Sequence, residues 1–157
     1  MDYETLLLNA EKEGLIVKEK PLKYNNGRIK GNRIAIRDDI ETITEKTCVL
    51  AEELGHHYTT VGDILDQSDA ANRKQERRAR LWAYDRLIGL QGIINAYEAG
   101  CRNCYEMSDF LGVTEEALSE CLDAYREKYG TGVRQGKYYI IFEPILAVGK
   151  LIPTAKT

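Results

Sequence analysis

Apolar positions in the first dozen residues recur at helical spacing. Leu6, Leu7 and Ala10 share one face and Gly14 follows as a stop, which predicts a helix over 3–13. The pattern then breaks into short runs. Leu15-Ile16-Val17 ends before Pro21, Asn26-Gly27 is a hairpin signal, Gly31-Asn32 marks a second turn, and Arg33–Arg37 reads as a strand. Two or three antiparallel strands are expected over 15–37. Asp38 and Asp39 stand where an N-cap belongs, and a helix follows to about Tyr58. Its apolar positions, Ile43, Thr47, Leu50, Ala51, Leu54 and Tyr58, fall within about 100° of arc.

Residues 59–69 read as a polar loop. A long helix is expected from near Ala70 to about Leu90, broken by Gly89 and Gly92, with a short helix Ile93–Ala99 behind it. Tyr105–Leu111, a turn at Gly112-Val113 and a helix over 114–129 capped by Thr114 come next. Gly130 to Gly136 reads as a glycine-rich turn, and Tyr138–Phe142 as the one C-terminal strand, ended by Pro144. The expectation is an α+β protein. Residues 1–92 would form its core and residues 93–157 a helical extension packed as one unit with it.

Composition narrows the function classes. The chain has 157 residues, 43% hydrophobic and 30% charged, which suits one globular domain and argues against disorder. No apolar run is long enough to span a bilayer, and Met1-Asp-Tyr-Glu4 lacks the basic start of a signal peptide. A cytoplasmic protein with reduced thiols at Cys48, Cys101, Cys104 and Cys121 is therefore expected, without membrane partners. Cys101-x-x-Cys104 is half of a metal or redox motif with no second pair. Net charge is −3, so nothing pulls the whole chain toward nucleic acid. The exception is local: Arg73, Lys74, Arg77, Arg78 and Arg80 crowd one window with a single acid, Glu76.

The chemistry-bearing motif is Ala51-Glu52-Glu53-Leu54-Gly55-His56-His57, which holds both histidines of the chain. Glu52 and His56 are i, i+4 partners, as are Glu53 and His57. The four cover about 140° of arc outside the apolar face. A ligand pair at that spacing can grip one ion, and an adjacent carboxylate can act as general base. The pattern is H-E-x-x-H with Glu52 in place of the first His. A third ligand should come from a second helix. Glu76 is the candidate, because Ala79, Ala83 and Leu87 lie within about 60° of its direction and place it on an inward stripe. A salt bridge to an Arg of the basic window is the plainer fate for Glu76, and a solvated Glu/His face the plainer fate for the motif.

The sequence resembles the ImmA/IrrE family of metallopeptidases over roughly residues 14–90. The resemblance rests on Gly14-Leu-Ile-Val17, the hairpin region 23–37, Cys48-Val-Leu-Ala-Glu-Glu-Leu-Gly-His56 and Glu76-Arg-Arg-Ala79-Arg-Leu-Trp82-Ala83. It implies a zincin-like fold, with a small antiparallel sheet packed on the metal helices. It also implies zinc-dependent endopeptidase activity on a repressor-type, DNA-binding regulator of a phage or mobile element. Carried over by position, Glu53 is the general base, and Glu52, His56 and Glu76 are the metal ligands. His57 is a substitute ligand, or a group that orients a ligand or contacts substrate. Glu52 replaces a His, and oxygen ligands admit Mn²⁺ more readily, so manganese is the alternative to zinc.

Two readings from other classes stand beside the enzyme. One is a catalytically degenerate adaptor that binds a repressor without cutting it. The other is a DNA-binding regulator using the helix-turn-helix-like segment 105–129. Glu115, Glu116, Glu120 and Asp123 on its second helix repel phosphates and make direct DNA binding unfavourable.

Overall fold

The computed structural model describes residues 1–60 and 69–153. The predicted loop 59–69 therefore falls largely outside the described residues. Among them are six helices and two three-stranded sheets, an α+β architecture. None of these helices is long and apolar enough to cross a membrane.

Helix α1 spans Tyr3–Lys12, with the Asp2 side chain accepting from the Thr5 N–H at its start. Strands β1 (Ile16–Lys20), β2 (Gly27–Lys30) and β3 (Arg33–Arg37) follow. Their order is β1-β3-β2, with β2 antiparallel to β3 but β1 parallel to it. The sheet is therefore mixed, not antiparallel as expected. The reason lies in residues 21–26. Arg37 donates from Nε to the Leu22 carbonyl and from its main-chain N to the Asn26 carbonyl, holding this connection across the end of β3. Chain direction reverses at Gly31-Asn32, whereas Asn26-Gly27 leads into β2 and makes no hairpin. Ile34 and Ile36 of β3 point into the core.

Helix α2 covers Ile43–Thr59 and is capped by Thr42, whose hydroxyl accepts from the Glu45 N–H at 3.1 Å; Asp38 and Asp39 do not cap it. Helix α3 (Asp69–Leu87) packs on α2 and ends one turn earlier than predicted, and α4 (Gly89–Glu98) starts directly after it. Gly92 lies within α4 and does not break it. The α2–α3 crossing is set by Gly55. A Cβ placed there would sit 2.2 Å from the Ala79 carbonyl oxygen, so the two backbones touch. This contact is why α2 carries a glycine in its interior, where glycine otherwise costs about 1 kcal/mol.

Helices α5 (Cys104–Leu111) and α6 (Glu115–Tyr129) are joined by a three-residue turn, and the Thr114 hydroxyl caps α6. Tyr84 donates to Glu120 at 2.6 Å and Tyr125 to Asp85 at 2.5 Å, tying α3 to α6. Strands β4 (Gly132–Gln135), β5 (Tyr138–Ile141) and β6 (Ala147–Lys150) form an antiparallel meander where one strand was expected. Four-residue strands carry too little alternation to announce themselves, and β4 occupies the presumed glycine turn. One buried cluster runs from Leu6 and Leu50 through Leu87 and Ile93 to Leu118, Tyr125 and Phe142, joining both halves of the chain.

Gly55→Ala gains helix propensity yet is expected to lose about 1–3 kcal/mol net, because the new methyl meets backbone that cannot move aside. Urea denaturation of the two proteins measures this. A more stable Ala variant would show that α2 and α3 are not in contact at that point.

Candidate metal centre

The wheel placed Glu52, Glu53, His56 and His57 together on a face away from the core. The structure divides that face. The buried positions of α2 are Thr47, Leu50, Ala51, Glu53, Leu54 and Gly55, and they span about 200°. At one end of this arc Gly55 meets α3. At the other end Glu53 lies under β2, where a Cβ on Gly27 would sit 2.8 Å from its Oε1. Between α3 and β2 a slot remains, and Glu52 and His56 form its floor.

Glu76 reaches this slot from one turn before Ala79. Its Oε1 lies 3.4 Å from His56 Nε2. It is not sealed on an inward stripe as expected, for its side chain is 50% exposed, and the buried stripe of α3 begins at Ala79. Its partner is His56 and not an Arg of the basic window. Glu52, His56 and Glu76 each offer one ligand atom, and these atoms all lie within 4.8 Å of one another.

The donor set is one imidazole nitrogen and two carboxylate oxygens. Zn²⁺ and Mn²⁺ both accept such a set. Bond lengths of about 2.0–2.2 Å allow donors on one ion to stand about 3–4 Å apart. His56 and Glu76 already meet this, and Glu52 and Glu76 have the exposure to adjust. The residues fit a divalent ion.

Glu53 is beside this cluster but is only 9% exposed. Burial pushes its carboxyl up to about 7, with the charges of Glu52 and Glu76 adding to the effect. A cavity of about 430 Å³ is walled by Glu52, Glu53, His56 and Glu76 on the helix side and by Gly27 and Ile29 on the strand side. One space thus holds three candidate ligands and a carboxyl that titrates near neutrality, which suits proton transfer.

The structure does not bring His57 into the cluster. Its ring meets Tyr58 edge-on at 4.9 Å, Tyr58 stacks on Trp82 at 4.9 Å, and Arg86 lies over Trp82 at 5.5 Å. Sequence reasoning missed Arg80, whose Nε lies 3.4 Å from Glu52 Oε1. The basic window had been matched with Glu76, which shares its helix. Only the fold shows that Glu52 is the acid within reach. The β2 wall was missed as well, because Asn26-Gly27 reads locally as a turn.

Compared with protein-family models, curated proteins and solved structures, the chain matches none.

A carboxyl with a higher pKa folded than unfolded holds its proton more tightly in the native state. Its contribution is fully present below the unfolded value and is lost as pH rises through the folded one. In chelator-treated protein the Glu53 contribution to stability is therefore expected to fall between pH 4.5 and about 7. Glu53→Gln should remove that slope; identical pH–stability curves for both proteins would contradict the buried environment. His57→Ala, by contrast, should leave metal content unchanged on elemental analysis.

Proposed function

We propose that the protein is a metal-dependent endopeptidase of zincin-like architecture that cleaves a repressor-type protein regulator of a phage or mobile element in the cytoplasm. The observation that carries this reading is the shared cavity, with Glu52, His56 and Glu76 clustered as ligands and Glu53 next to them, titrating near 7. Glu52, His56 and Glu76 would hold zinc, with manganese as the alternative. A divalent ion bound there supplies Lewis acidity toward a peptide carbonyl and toward water.

The chain's own residues perform the rest. Glu53 takes a proton from the attacking water and returns it to the leaving amine, its carboxyl standing at the wall of the cavity that holds the three ligands. Strand β2 is an edge of its sheet, and Gly27 and Ile29 line the cavity, so its free main-chain groups can pair with an extended polypeptide. This supports a protein substrate threaded as an added strand. Arg80 on Glu52 offsets part of the negative charge that three crowded carboxylates create.

The adaptor reading has one observation in its favour. Glu52 is engaged by Arg80, and an ion must compete with that pair. The helix-turn-helix-like pair α5–α6 supports DNA binding poorly, since Glu115, Glu116, Glu120 and Asp123 are all exposed.

Protein purified without chelator or His-tag should contain about one equivalent of zinc or manganese, lost in both His56→Ala and Glu76→Ala. Glu53→Gln should keep the metal and lose about 10²–10⁴-fold in cleavage of a proteome-derived peptide library read by mass spectrometry. Metal binding without any Glu53-dependent cleavage would leave the adaptor as the better reading. No metal even after soaking with each ion would remove both the centre and the enzyme.

A further inference from the structure

Cys101-x-x-Cys104-x-x-Met107 takes no part in the centre just described and lines a different cavity. The turn before α5 and the first turn of that helix carry all three sulfurs. Cys101, Cys104 and Met107 line one cavity of about 330 Å³ between α4, α5 and β6. The other walls are mostly apolar, with Ile93, Leu146 and Val148 among them.

The turn is held in place before any ligand arrives. Asn103 caps α5 by accepting from the Glu106 N–H at 2.8 Å. The Glu106 carboxylate accepts from the Arg102 main-chain N–H at 2.7 Å and from Nη2 at 3.0 Å. The Cys101 thiol donates to the Glu106 carbonyl at 3.6 Å. Cys104 and Met107 are i, i+3 on one helix and so are neighbours on its surface. Cys104 is exposed, Cys101 half-buried and Met107 buried, which gives an entry path on one side and a dry floor on the other.

Two thiols and a thioether on an apolar wall are a soft donor set. Hard ions such as Mg²⁺ need oxygen ligands and retain water, and a structural Zn²⁺ wants four donors. A soft monovalent ion is satisfied by two or three sulfurs. We propose that Cys101, Cys104 and Met107 form a binding site for a soft monovalent cation of the Cu(I) class. Binding replaces the S–H bonds of Cys101 and Cys104 with S–metal bonds and releases both protons to solvent, with no change of oxidation state. The remaining thiols are poor rivals, because burial pushes Cys48 up and Cys121 up to about 12.

The site is independent of the zinc reading and is tested separately. Full-length protein, reduced and treated with EDTA, is titrated anaerobically with Cu(I) against bathocuproine disulfonate. About one equivalent should bind, with sulfur-only coordination in X-ray absorption. Cys101→Ser or Cys104→Ser should weaken binding by about 100-fold and the volume-conserving Met107→Leu by about tenfold. Cys48→Ser and His56→Ala should bind as the parent does. The proposal is overturned if the parent binds no tighter than the Cys101→Ser/Cys104→Ser double variant, if Met107→Leu is indistinguishable from the parent, or if nitrogen or oxygen dominates the coordination. Circular dichroism of each folded variant keeps a loss of binding from being mistaken for a loss of fold.

Discussion

Direct backbone contact between α2 and α3 at Gly55 and Ala79 is the constraint on which the candidate centre rests. Any side chain at 55 would push the helices apart and carry Glu76 away from His56, from which it now stands 3.4 Å. The same closeness explains why a helix accepts a glycine in its interior. The propensity lost is about 1 kcal/mol, whereas separating the helices would open the core along Leu50, Leu54 and Ala83.

A second close approach mirrors the first. Gly27 lets β2 descend onto Val49 and Glu53, so α2 is gripped from both flanks and its polar residues are left in a slot. Three carboxylates share this slot, and they repel one another. The molecule answers in two ways. Arg80 stands against Glu52, and Glu53, the most buried of the three, holds its proton longer.

The parts legible in the sequence were those governed by neighbours in the chain. The i, i+4 spacing of Glu52 and His56, the cap at Thr114, and the existence of α1, α2, α5 and α6 all follow from local pattern. What was not legible depended on distant segments. Apolar residues alone define the face read from a helical wheel, so Glu53 looked exposed; a strand 26 positions earlier in the chain covers it. Turn signals at Asn26-Gly27 and Gly31-Asn32 have similar local strength, and only the hold of Arg37 on residues 21–26 decides which one reverses the chain. Parallel pairing of β1 with β3 leaves no mark in either strand. The meander of β4, β5 and β6 has the same cause, since strands of four residues owe their existence to their partners.

The open side of β2 has a further consequence. A strand edge that can receive a polypeptide can also receive a second copy of itself, and such edges are where sheets join into larger aggregates. Arg28 and Lys30, both exposed on β2, put positive charge along that edge. Two copies approaching edge to edge would bring those cations face to face, while a neutral or acidic segment would meet no such barrier. Like charges along that edge therefore weigh against two copies pairing through it.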